Sequence, residues 1–282
     1  VRVNLDCVPC FMQQALKTAR IATDDERCQE EILRETAGLL KDLSYECSPP
    51  EIAHQVHELV RRISGCEDPY RTVKLHDNKL ALDLYPWLKK QVRDSDDPLY
   101  TAVKLAVAGN IIDYGVNQAF NVEETIERVL SMDFALNAMD EFRKDLDNAK
   151  EIYYLADNAG EIVFDRVLIE ELEGKRVTLV VKGGPIINDA TLEDVEIAGL
   201  SDKVGVDYMG NGMPGTGPER TDPLFLQKLK GADLVLSKGQ GNFEGLNEQD
   251  YIYFLLMAKC PLIARHIGVG VGDIVFTKGF SR

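Results

Sequence analysis

The sequence has no run approaching the roughly 18 apolar residues that a bilayer-spanning helix requires, so an integral helical membrane protein is excluded. Its first ten residues, VRVNLDCVPC, lack the basic-then-apolar order of a secretory signal, and a cytoplasmic location is the expectation. Basic residues are scarce: 32 Lys and Arg stand against 47 Asp and Glu, for a formal charge of -15. Such a balance repels a phosphate backbone, so no nucleic-acid partner is expected, and an anionic small molecule needs local positive charge or a metal. No G-x-x-x-x-G-K-[ST] order occurs, which removes a Walker A loop. The six cysteines are Cys7, Cys10, Cys28, Cys47, Cys66 and Cys260. In a long chain of this type they read as reduced thiols rather than a disulfide framework. Cys7 and Cys10 form a C-x-x-C with no second C-x-x-C or H-x-H to complete a tetrahedral zinc site. A buried structural role and metal or redox chemistry both stand for this pair.

What is present is an ordinary globular composition, 45% hydrophobic and 28% charged over 282 residues, enough for one large domain or two closely packed regions. From Asp6 to about Asn148 apolar residues recur at three- and four-residue spacing, as in Ile52, Val56, Leu59 and Val60, and about five to seven helices are expected. Ser48-Pro49-Pro50-Glu51 and Asp97-Pro98 read as helix starts, and Trp87 as a packing residue. Beyond about Lys150 short Val-, Ile- and Leu-rich runs alternate with helical stretches. Strands are expected at 152–156, 177–181, 204–208, 234–236, 262–264 and 274–276, and helices at 162–172, 192–198, 223–229 and 249–257. Continuous apolar strands suit a mostly parallel sheet covered on both faces. The expected fold is therefore α/β: an all-helical N-terminal region, residues 1–148, followed by a three-layer, Rossmann-like α/β/α domain, residues 149–282.

In such sheets ligands bind beyond the carboxyl ends of the strands. The first strand runs into Asp157-Asn158-Ala159-Gly160-Glu161 and then a helix, so Asp157 and Asn158 offer oxygen ligands, with the backbone N–H groups of residues 159–161 facing an anion. A plain helix cap is the alternative for Asp157-Asn158, and a first-turn acid for Glu161. The second strand leads to Ile186-Ile187-Asn188-Asp189-Ala190-Thr191, a second acid–amide pair at the same edge, again open to reading as a cap. Together Asp157, Asn158 and Asp189 make an incomplete oxygen shell for Mg²⁺, Mn²⁺ or a similar ion. Ser237-Lys238-Gly239-Gln240-Gly241-Asn242-Phe243-Glu244 follows the fourth strand, with glycines freeing the backbone and Lys238 in reach of a phosphoryl oxygen. The loop 210–218 is either a mobile wall or a plain connection. Gly268-Val269-Gly270-Val271-Gly272 leads into a strand, not a helix, and is rejected as a dinucleotide fingerprint.

D-N-A-G-E at 157–161, I-x-N-D-A-T at 186–191 and S-K-G-Q-G-N-F-E at 237–244, behind a helical half that opens with D-C-x-x-C, resemble the DUF89 family of damage-control phosphatases, in its cysteine-containing subfamily. The resemblance implies hydrolysis of sugar phosphates or damaged phosphometabolites with a divalent metal ion: manganese, cobalt, nickel or magnesium. It implies Asp157, Asn158 and Asp189 as metal ligands and Lys238 as a phosphate contact. Gly109-Asn110-Ile111-Ile112-Asp113 resembles the family's G-N-x-x-D segment, which brings Asn110 and Asp113 to the pocket, though buried helix–helix hydrogen bonding explains them equally. Gly160, Glu161, Gly239 and Asn242 complete the expected substrate contacts, and the expected partner is a small phosphorylated metabolite. A carboxyl methyltransferase using S-adenosylmethionine and a non-enzymatic metabolite sensor are the rival functions.

Overall fold

A computed structural model describes residues 1–111, 122–209 and 223–280, with the side chain of residue 111 also outside the description. The chain begins with helices α1 (Cys7–Ala22), α2 (Glu26–Lys41), α3 (Pro49–Ser64), α4 (Arg71–Arg93), α5 (Pro98–Ile111) and α6 (Val122–Ser131), then a two-residue strand β1 (Leu136–Asn137) and α7 (Met139–Asn148). There follow β2 (Glu151–Leu155), α8 (Glu161–Glu170), β3 (Arg176–Lys182), α9 (Leu192–Ile197), β4 (Gly205–Met209), α10 (Pro223–Gly231), β5 (Leu234–Lys238), α11 (Gly239–Leu246), β6 (Ile252–Met257), α12 (Pro261–Ile267) and β7 (Ile274–Lys278).

The anticipated helix starts have local causes. At α3 the Glu51 carboxylate accepts from the Ser48 N–H at 2.6 Å, closing a capping box, while Pro49 and Pro50 occupy positions that need no donor. At α5 the Asp97 carboxylate accepts from the Tyr100 N–H at 3.1 Å.

Among the described residues the strands form one sheet in the order β1-β7-β6-β5-β2-β3-β4, parallel except where β6 meets β7. β2 buries both faces: Ile152 and Tyr154 join a core with α4, α5 and α8, whereas Leu155 joins a second core with α10, α11 and α12. Three layers result, with a mostly parallel sheet in the middle. α5 is buried along nearly its whole length, from Ala102 to Ala108, and it packs on α8 so closely that a Cβ on Gly109 would lie 2.9 Å from Phe164. This contact delivers Asn110 to the carboxyl edge of the sheet. The buried apolar clusters divide the chain within the helical stretch: α1, α2 and α3 have their own cluster, whereas α4 and α5 belong to the sheet's.

Three segments differ from expectation, the first being residues 239–246, read as a glycine-rich loop and found as helix α11. Residues 249–257, expected as a helix, hold strand β6, because Ile252-Tyr253-Phe254-Leu255-Leu256 is an unbroken apolar run buried on both faces. Residues 262–264, expected as a strand, lie inside α12, which starts at Pro261 and ends on Gly268. Short apolar runs do not distinguish the two states by period, and here the flanking proline and glycine were the better guide. β1 was not anticipated; it adds an edge strand from within the helical half. The loop 210–218 and Asp113 lie outside the described residues.

Candidate active site

Three strand ends converge on one buried cluster. The loops after β2 and β3 are laced together: the Ala159 N–H donates to Asn188 O at 2.8 Å, and the Ala190 N–H to Asp157 O at 2.8 Å. Asn158 and Asp189 form a β-bridge between them. Asp157, Asn158 and Asp189, expected together from sequence, are thus brought together by backbone pairing.

Asn110 joins them from α5. Its Nδ2 donates to Asp157 Oδ2 at 2.7 Å and to Glu161 Oε2 at 2.8 Å, and Asn158 Nδ2 donates to the same two oxygens at 2.9 and 3.0 Å. Gly239, the first residue of α11, closes the other side. Its φ is 79°, and an added Cβ would fall 1.9 Å from Asp157 Oδ2, so only glycine fits there beside the carboxylate. Asn242 Nδ2 donates to Ala156 O and Lys238 O, tying α11 to the end of β2.

Three expected contacts take different roles. Lys238 is fully buried and all three of its ammonium protons are engaged, with Glu161 Oε1 at 2.6 Å, Asp165 Oδ1 at 2.5 Å and Ala106 O at 2.8 Å. It has no donor left for a phosphate. Glu161, also buried, is held between Lys238 and the two asparagines instead of facing a ligand. The expected N–H donors before α8 are spent as well, Ala159 on Asn188 and Gly160 on Asn78 Oδ1 at 2.7 Å. The glycine-rich segment 239–242 supplies a different helix start: the N–H groups of Gly239, Gln240 and Gly241 at the head of α11 have no acceptor within the helix.

Several residues here were invisible in the sequence. Asn78 on α4 grips Gly160 N and also donates to Asp194 Oδ1 at 2.7 Å, while Lys74 one turn earlier pairs with Asp194 Oδ2 at 2.9 Å. Asp165 accepts from Tyr154 Oη at 2.7 Å as well as from Lys238. Lys182, at the end of β3, is buried with Nζ 3.7 Å from Asp189 Oδ2 and without a hydrogen-bond partner among the described residues. Only the end-of-strand position of Lys182 gave a signal.

Burial dominates the electrostatics. It pushes the Asp157 carboxyl up to about 8, reinforced by the charges of Glu161 and Asp189. Burial raises Asp189 and Asp165 to about 6 each, opposed by Lys182 and Lys74 at the first and by Lys238 at the second. Burial works against the Lys238 charge, but Asp165 and Glu161 overcome it and raise its pKa; burial lowers that of Lys182.

Asp157 and Asp189 open onto a cavity of about 420 Å³. Ile187, held at a φ of 45°, and Gln240, Gly241 and Asn242 share that wall. The facing wall comes from α1 and α3, with Cys7, Cys10, Phe11, Gln14 and His57, and Cys260 lies on the rim near α12. The C-x-x-C, remote in sequence from the acidic loops, therefore borders the same space. Burial raises the Cys7 thiol's pKa, and Cys10 accepts from Gln14 Nε2 at 3.4 Å. Among the described residues no three His, Cys, Asp or Glu side chains converge as a ligand set, so a cation here would also draw on the Asn158 amide.

The model of the damage-control phosphatase ARMT1-like domain matches residues 3–275. A damage-control phosphatase of Archaeoglobus fulgidus is 37% identical, over 98% of this chain and 98% of its own. One of Pyrococcus horikoshii is 33% identical, over 98% and 97%. An uncharacterized protein of Methanocaldococcus jannaschii is 37% identical, over 99% and 96%. The crystal structure of a DUF89 family protein from Pyrococcus horikoshii superposes with a TM-score of 0.90 at 32% identity, covering 99% of this chain and 100% of that one. With its acid–amide loops laced at the edge of a sheet of the same architecture, the chain belongs to the damage-control phosphatase ARMT1-like (DUF89) family.

Proposed function

We propose that the protein is a metal-dependent phosphomonoester hydrolase of small phosphorylated metabolites, with a divalent ion held by Asp157, Asn158 and Asp189. Relatives named damage-control phosphatases support the phosphatase role. The observation that carries the metal is a charge imbalance. Glu161, Asp165 and Asp189 are buried, with the half-buried Asp157 beside them, against two buried ammonium groups, Lys182 and Lys238. Carboxylates taken out of water without partners are costly, and a divalent cation offsets the excess. Asn110 Oδ1 and Lys182 Nζ, both buried and without a hydrogen bond among the described residues, fit the same account.

Bound there, the ion supplies a clamp on a phosphoryl oxygen and a water acidified enough to attack. The chain's own residues do the positioning. Asn110 and Asn158 fix the orientation of Asp157, and the Gly239 backbone keeps a neighbouring side chain from displacing it. The first turn of α11 directs N–H groups at the anionic end of the substrate, and Lys182, beside Asp189, is better placed than the fully engaged Lys238 to offset its charge. Lys238 instead holds Glu161 and Asp165 in place. Release of phosphate from p-nitrophenyl phosphate, measured with and without chelator and after readdition of Mn²⁺, Co²⁺, Ni²⁺ or Mg²⁺, tests the reading. Chelation should abolish turnover and readdition restore it; chelator-resistant turnover would remove the metal, and no turnover with any metal would remove the phosphatase.

A further inference from the structure

Two residues on the helical wall of the cavity each have a buried polar atom without a hydrogen-bond partner among the described residues. His57 on α3 lines the cavity, is 3% exposed, and its Nε2 has no hydrogen-bond partner among the described residues. Burial, with Arg61 and His54 nearby, lowers its pKa to about 4, so the ring is neutral near pH 7 and its free nitrogen acts as a hydrogen-bonding group rather than a charge. The ring is packed edge-on to Tyr70 at 6.5 Å between centroids, and the Tyr70 hydroxyl lies 3.0 Å from Thr18 Oγ1, which braces both rings against α1. Gln14 on α1 lines the same cavity. One end of its amide is taken by the Cys10 sulfur, and the other, Oε1, is buried and unpartnered among the described residues. Turning the amide over would exchange the two atoms and still leave one of them free.

Buried polar atoms are nearly always satisfied, and two unsatisfied ones from different helices on one cavity wall need a common cause. Phe11, Ala53, Pro49 and Pro50 line the same cavity, and none of their side chains carries a hydrogen-bonding group. A cavity of about 420 Å³ falls within the about 300–1,000 Å³ typical of small-molecule sites. We propose that His57 and Gln14 form the subsite for the organic part of the substrate, hydrogen-bonding hydroxyl groups of a polyol or sugar whose phosphate is held across the cavity by the Asp157–Asp189 wall. This rests on the phosphatase reading. A site built to hydrogen-bond a hydroxyl discriminates strongly against an ester that lacks one, because its buried groups then stay unpaired.

The test is kcat/KM for glucose 6-phosphate and for p-nitrophenyl phosphate, at saturating metal, in the wild type and in Gln14→Leu, His57→Leu and His57→Gln. Each leucine variant should lower kcat/KM for the sugar phosphate about tenfold more than for the aryl ester, through KM, and His57→Gln should recover part of the loss. Equal losses on both substrates would make the residues merely structural and overturn the subsite, as would no loss on either. Gln14 is only half-buried, so Gln14→Leu decides the matter if His57→Leu does not fold. A wild type active on the aryl ester but not on the sugar phosphate overturns the subsite alone. One active on neither overturns the phosphatase reading and the subsite with it.

Discussion

The two walls of the cavity are built on different principles. On the sheet side, Asp157, Glu161, Asp165 and Asp189 are held by charge, amide clamps and backbone lacing, and the polar atoms without a hydrogen bond among the described residues, Asn110 Oδ1, Asp165 Oδ2 and Lys182 Nζ, belong to that same charged cluster. On the helical side, α1 and α3 meet through an apolar cluster of their own, Phe11, Ala15, Ile52, Val56 and Val60 among them, and the polar atoms they present are left over from packing. Chemistry is fixed where the fold cannot give way, and the facing helices are free to change what is recognised. The proposed reaction belongs to the first wall and the selection of substrate to the second.

The sharpest way to break this contrast is Asp157→Asn. It should cut activity about 10²- to 10³-fold or more and weaken metal binding in calorimetry. Because its surroundings push the Asp157 carboxyl up to about 8, the metal-free fold must take up a proton there at pH 7 that the unfolded chain does not bind; the neutral amide avoids that cost, so the melting temperature of the chelator-treated protein at pH 7 should rise, by roughly 2–4 °C for each kcal/mol relieved. A variant that is both active and less stable would mean that Asp157 is a cap after all.

Next comes the pair of lysines. Lys238→Met strands Glu161 and Asp165 and should destabilise the fold by about 3–5 kcal/mol in urea denaturation. Lys182→Met should cost much less stability and instead raise the inhibition constant for inorganic phosphate. The reverse pattern would exchange their roles.

That exchange also marks the limit of what could be read in the sequence. Asp157, Asn158 and Asp189 were legible because each sits where an apolar strand gives way to a helix, a position that chain order alone defines. Lys238 was legible as a place but not as a role, since its partners, Glu161, Asp165 and Ala106, come from two helices whose packing no spacing encodes. Lys74 and Asn78 look like any polar pair one turn apart on a helix, and only the docking of α4 against Gly160 and the start of α9 gives them a task. The C-x-x-C is remote from the acidic loops in sequence, and that separation says nothing about distance across a cavity. β6 and α12 exchanged identities for a related reason: burial on both faces erases the period that separates strand from helix.

A smaller effect is expected from pH. His57 has a folded pKa lowered to about 4 against an unfolded value of about 6.5. The unfolded chain therefore binds the extra proton first, and stability falls as the pH drops from about 6.5 to about 4, by at most about 1.4 kcal/mol per pH unit from this residue. Above 6.5 both states are neutral and the residue contributes no slope. His57→Gln should flatten that acid limb in denaturant titrations at pH 7, 6 and 5; an unchanged slope would mean that the ring is charged in the fold. The smallest effect should come from Cys7→Ser combined with Cys10→Ser. These thiols border the cavity on its helical side, so kcat should stay within about threefold and any change should fall on KM. A collapse of kcat in a folded double mutant would bring that wall into the chemistry and end the contrast.

The buried Lys238 links β5 to α8 and to α5, positions up to 132 residues apart along the chain. Contacts of such long range close late, after much of the chain has already collapsed. The reactive centre is therefore expected to form with the long-range core rather than within any local segment. Amide hydrogens in β2 and β5 should exchange with solvent only through global unfolding, whereas α1 to α3, with a separate core, form a unit able to open on its own. A protein arranged in this way can loosen its recognition wall to admit or release a substrate while the residues assigned to catalysis never leave their places.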